Sequence, residues 1–198
     1  RECVDYIVNT IEAAGYVNIN SLIKTNGKVK AGDKVYAVLM NKTVAMFHIG
    51  SQDILEGMNI LGAHIDSPRL DVKQNPLYEQ DGFAYLDTHY YGGVKKYQWV
   101  TIPLAIHGVV VKKDGTSINV VIGEDENDPV FGITDLLIHL AGKQMQKTAA
   151  TVIEGEDLNL TIGSIPVEGE DKDAVKANVK KMLADKYGID EDDFISAE

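Results

Sequence analysis

The first fourteen residues carry a helical repeat. Val4, Ile7, Val8 and Ile11 recur at spacings of three and four, which puts them on one face. Gly15 then closes the pattern. From Lys34 the period shortens to two. "KVYAVLM" and "VAMFHIG", joined at "NKT", read as two strands and a tight turn (34–50). "MNILGAHID" (58–66) is apolar on both faces, the signature of a central sheet strand covered from above and below.

Beyond "RLDV" (69–72) the chain turns β-rich. "FAYLDTHYYGG" (83–93), "WVTIPLAIHGVVVKK" (99–113) and "TSINVVIGE" (116–124) have strand character, the last two joined at Asp114-Gly115. An acidic stretch, "EDENDP" (124–129), separates them from "VFGITDLLIHLAGK" (130–143). Near the end, Val175, Val179, Met182 and Leu183 share a helical face that Gly188 caps. "DDFISAE" looks like a strand. The expected architecture is α/β, with an N-terminal α/β part over 1–75 and a mostly β-rich segment over 76–198. Pro, Gly and polar residues in "QNPLYEQDG" (74–82) mark the division.

Charge narrows the function classes. Thirty acidic residues against 19 basic ones leave a net charge of -11, a poor basis for gripping a phosphate backbone. No glycine-rich phosphate loop occurs, and "YYGGV" lacks the spacing of a dinucleotide site. The longest apolar stretch, around residues 100–111, is too short to cross a bilayer. Nucleic-acid and membrane partners are therefore not expected. Cys3 is the single cysteine, which suits a reducing, cytoplasmic setting or simply a fold that needs no disulfide. The chain opens without an initiator methionine, inside an expected helix, and reads as a piece of a longer polypeptide.

Chemistry concentrates at "GAHIDSPRLDVK" (62–73). In an extended segment His64 and Asp66, two apart, point to the same side. Ligands in open α/β sheets collect at strand ends. A neutral imidazole is a good zinc ligand that wants a partner on its second nitrogen, and Asp66 is placed to be one. The spacing alone equally fits a strand end meeting water. His48, His89 and His107 read as ordinary strand histidines.

"GAHIDSPRLDVK", "YYGG" (90–93), "QWV" (98–100) and "DLLIHL" (135–140), in that order, resemble the M18 family of metalloaminopeptidases, the aspartyl aminopeptidase relatives. The resemblance implies a partial zinc-peptidase catalytic domain with a β-rich insert that pairs subunits into a homo-oligomer. It implies His64 as a metal ligand and Asp66 as its supporting carboxylate. It also implies that His139, in the second motif, serves the active site as a metal-site histidine or as a stabiliser of the tetrahedral intermediate. Periodicity alone would make His139 a polar position on a short buried helix. The family's chemistry would be two-metal hydrolysis with zinc, or another divalent metal, releasing N-terminal and preferentially acidic residues from peptides. The remaining ligands and the general base are expected beyond Glu198. Arg69 and Lys73 are candidates for a local positive spot. Two other classes stay open: a non-catalytic assembly or binding module with exposed strand edges, and a different metal-dependent amidohydrolase.

Overall fold

Local rules account well for the chain as far as the end of the first hairpin. In the computed structural model, which describes residues 1–190 and 193, helix α1 covers Glu2–Ala13 and buries Val4 and Ile11. Strand β1 (Val17–Asn18) leads into a short helix α2 (Ile19–Lys24) whose first turn is capped by the Asn18 side chain. β1 pairs in parallel with β2 (Lys34–Leu39), and β2 pairs antiparallel with β3 (Thr43–His48). The expected hairpin is therefore present. Its three-residue turn (40–42) places Met40 and Asn41 at φ +52°, and Lys42 N donates to Leu39 O at 3.0 Å. Asn41 Nδ2 donates to Asp5 Oδ1 at 3.0 Å, which ties the turn to the start of α1. Tyr36, 3% exposed, donates its hydroxyl to Glu12 Oε1 at 2.5 Å. The carboxylate that accepts this bond holds the Tyr36 phenol above its usual range, and burial adds to the effect.

The segment after β3 departs from expectation. Residues 58–66 run without a ladder, and Leu61 is 98% exposed and Ile60 81%. A strand that is apolar on both faces needs neighbours for its backbone groups and cover for its side chains. Among the described residues nothing supplies either, so the central-strand reading is corrected to an exposed run outside any ladder.

The compact units divide at Asp66/Ser67 rather than at 75/76. "QNPLYEQ" does not form a linker. It belongs to β4 (Arg69–Gln80), which pairs antiparallel with β5 (Phe83–Tyr91) through a turn at Asp81 and Gly82, both at positive φ. Its proline and polar residues are absorbed by a bulge. The register shifts between Val72 and Leu77, Asn75 sits at φ +50°, and Pro76 is fully buried where no ladder donor is required of it.

β8 (Leu160–Gly163) pairs with β5 on the side away from β4. β6 (Ile106–Val111) and β7 (Ser117–Ile122) form a separate hairpin, so only the C-terminal part of the expected 99–113 strand takes strand form. Leu77, Leu86, Val110, Ile122, Phe131 and Leu158 share the core of this second unit.

Helix α3 (Ala174–Tyr187) follows the expected face, burying Val175 and Val179 and ending at Gly188 with φ +60°. Two features seat it. A Cβ on Gly163 would lie 2.8 Å from Val179 Cγ2, so β8 meets the helix with no room for a side chain. Glu79 Oε2 accepts from the Val175 and Lys176 amides at 3.0 and 2.9 Å, a carboxylate from β4 satisfying the helix's first donors. The strand expected at "DDFISAE" falls largely outside the described residues.

Candidate metal centre

His64 and Asp66 lie two positions apart on the run that follows the β2–β3 hairpin, with their side chains in contact. Together with Ala63 and Ile65, they line a depression of about 250 Å³ closed on its other flank by Lys42, Thr43 and Val44 of the hairpin. The His64 side chain is 84% exposed and that of Asp66 54%.

His64 Nδ1 lies 3.0 Å from the Asp66 backbone oxygen and 3.2 Å from Asp66 Oδ1. A carbonyl oxygen can only accept, so Nδ1 carries the proton. In the neutral ring the lone pair then belongs to Nε2. That is the tautomer a metal-ligating imidazole needs, with one nitrogen held by a carboxylate or carbonyl and the other left basic. The donor chemistry fits zinc, which takes imidazole nitrogen readily. One imidazole is not a complete ligand set, and among the described residues no cluster of three or more His, Cys, Asp or Glu is placed to hold a metal ion.

The second expected active-site residue lies in the other unit. His139 occupies an exposed turn closed by Leu140 N and Ala141 N, which donate to Leu137 O at 2.8 and 3.0 Å. Its neighbours Leu136, Leu137, Ile138 and Leu140 are 54%, 70%, 65% and 70% exposed. The short buried helix that periodicity suggested is thus corrected to an exposed apolar turn. Asp135 Oδ1 stabilises its entry by accepting from Leu136 N and Gln144 Nε2, each at 2.8 Å. The structure brings His64 and Asp66 together in the first unit, and His139 belongs to the second.

The other candidates resolve locally. His107 Nε2 meets Glu124 Oε1 at 3.1 Å, and His89 stacks on Tyr90 with centroids 5.6 Å apart. Arg69 packs over the Tyr91 ring at 4.3 Å and donates from Nε to Asp71 Oδ1 at 2.6 Å. Lys73 Nζ contacts Asp87 at 3.0 Å and Glu156 at 3.4 Å, and these carboxylates, Asp87 first, raise its pKa. Both expected positive spots therefore already face acidic partners. Lys42 is the site-lining cation that sequence reading passed over. Only the fold of the hairpin reveals it.

A family model described as aminopeptidase I zinc metalloprotease (M18) matches residues 1–198. A probable M18 family aminopeptidase 1 of Clostridium acetobutylicum is 60% identical across the whole chain, which covers 43% of that protein. The crystal structure of aminopeptidase I from the same organism superposes with a TM-score of 0.87 at 58% identity, over 100% of this chain and 43% of that one. The M18-family aminopeptidase of Thermotoga maritima superposes at 0.89 with 45% identity, over 98% of this chain and 42% of that one. The chain thus spans less than half the length of these relatives.

Proposed function

The chain belongs to the M18 family of zinc metallopeptidases, and from that premise we propose that it forms part of a zinc-dependent aminopeptidase acting on peptides. His64 binds the metal through Nε2, and Asp66 fixes the ring by accepting a hydrogen bond from Nδ1–H. The observation that carries this reading is the contact pair at 3.0 and 3.2 Å, which in the neutral ring puts the lone pair on Nε2.

Zinc held there would act as a Lewis acid on the scissile carbonyl and acidify a water. This chain's own residues position the ring and line the depression around it. The other ligands, a second metal and the general base that takes the water's proton belong to the longer protein. His139 serves as a further active-site histidine, either a ligand or a donor to the developing oxyanion. The exposed apolar turn that carries it suits burial in an oligomer, with the β-rich unit pairing subunits. A cytoplasmic location is part of the same proposal.

Preference for acidic N-terminal residues is the finer part of the reading. Since Arg69 and Lys73 are each engaged with carboxylates, a negative substrate side chain must find its counter-charge at other groups.

The test is elemental analysis of the full-length protein carrying His64→Ala or His139→Ala. His64→Ala is expected to lose zinc at one site. His139→Ala is expected to keep zinc and lose about 10²- to 10³-fold in turnover, the loss typical of removing one transition-state donor. Unchanged zinc in His64→Ala removes His64 from the centre. Lost zinc in His139→Ala makes His139 a ligand.

A further inference from the structure

Asn26-Gly27 is the one Asn-Gly pair in the 198 residues. It lies directly after α2, whose C-cap is Thr25, and both residues are exposed. Asn26 sits in the left-handed region at φ +51°. Its amide donates to Ile23 O at 3.2 Å, and the Gly27 amide donates to Leu22 O at 2.8 Å. Two bonds of this kind reaching back from the positive-φ residue close the helix end.

The same peptide nitrogen has a second chemistry. Gly27 N, once it gives its proton to solvent base, can attack Cγ of its own neighbour. The new N–C bond closes a five-membered imide as the Asn26 side-chain amide leaves as ammonia. Water then opens the ring at either carbonyl, leaving aspartate or isoaspartate at position 26. The net reaction consumes one water and releases one ammonia, with no redox change. Glycine in the second position is what makes the attack sterically open, since no Cβ shields the nitrogen.

We propose that Asn26 is a site of spontaneous deamidation, gated by the C-cap of α2. The imide nitrogen carries no hydrogen, so the bond to Leu22 O cannot coexist with the ring. The cap must open before the reaction begins. Thr25 Oγ1, donating to Ser21 O at 3.2 Å and Leu22 O at 3.1 Å, helps keep the helix end closed. Isoaspartate adds a backbone carbon where the left-handed residue was, so the cap re-forms only on the aspartate product. The folded protein therefore holds the reaction back, and loosening α2 releases it.

The experiment incubates the full-length protein at pH 8 and maps tryptic peptides for the amide-to-acid mass gain, with isoaspartate separated by retention time. Native protein, guanidinium-unfolded protein, Thr25→Ala and Gly27→Ala are run in parallel. Asn26 is expected to convert ahead of every other asparagine. The native rate should be about five- to tenfold below the unfolded rate, the factor set by roughly one net hydrogen bond. Thr25→Ala should move the native rate toward the unfolded one, and Gly27→Ala should slow conversion even in guanidinium. Another asparagine converting first in the native protein overturns the site. A native rate equal to the unfolded rate overturns the gate.

Discussion

Replacing Asp66 by asparagine separates the two oxygens that hold His64. The carboxylate Oδ1 lies 3.2 Å from Nδ1, and the backbone oxygen of the same residue lies closer, at 3.0 Å. Asparagine removes the charge but leaves the backbone acceptor in place, so the ring keeps its proton on Nδ1 and its lone pair on Nε2. What is lost is the charge-assisted part of the support. With the Asp66 side chain 54% exposed, solvent screens that part strongly. Loss of such an outer partner costs about 10- to 100-fold in metal affinity. The surviving carbonyl puts Asp66→Asn at the low end, about tenfold or ~1.4 kcal/mol. Zinc affinity of the full-length variant, measured by competition with a chelator of known strength, checks this. A loss well beyond a hundredfold would show that the carboxylate itself binds metal. No loss at all would show that the backbone oxygen alone sets the tautomer.

Gly163→Ala should destabilise the second unit by about 1–3 kcal/mol, because the new Cβ meets Val179 Cγ2 at 2.8 Å. Adding Val179→Ala should recover part of that loss in a double-mutant cycle of urea midpoints, and strict additivity would refute the contact. Glu79→Ala leaves two amides at the start of α3 without their acceptor and should cost about 1–3 kcal/mol, with faster hydrogen exchange at Val175 and Lys176. Unchanged exchange there would show that the helix caps itself. Lys186 and the Gly123 amide, in that order, hold the Asp128 carboxyl below its usual range. A depressed carboxyl stabilises the fold above its unfolded pKa, and that contribution disappears as pH falls through the folded one. Asp128→Asn should therefore lower stability at neutral pH and flatten the acid limb, and an unchanged limb in urea titrations from neutral to low pH would refute the pairing.

Short-range rules carried the elements whose residues answer to near neighbours. The 3.6-residue spacing of Val4, Ile7, Val8 and Ile11 predicts α1, and the alternation around Met40-Asn41 predicts the β2–β3 hairpin. Gly188 marks the end of α3 because an αL cap needs a residue that tolerates φ +60°. His64 and Asp66 were legible as a pair because a two-residue period puts them on one side whether or not the strand is laddered.

What the tertiary structure decided involves partners far away along the chain. Apolar pattern says that residues 58–66 and 136–140 want cover, but cover is a property of other segments, and here both runs are exposed. Glu79 caps a helix that begins 95 residues later, and Gly163 is required by a side chain on α3. Pro76 and Asn75 looked like a linker until a bulge in β4 absorbed them. The hydrogen bond at His64 Nδ1 was beyond spacing for a local reason, because it depends on the direction of the Asp66 backbone oxygen, which the folded path of the run sets. Sequence spacing places chemical groups within reach of each other. Which atom faces which is settled by the path the folded backbone takes, and at His64 that path brings the Asp66 carbonyl to Nδ1.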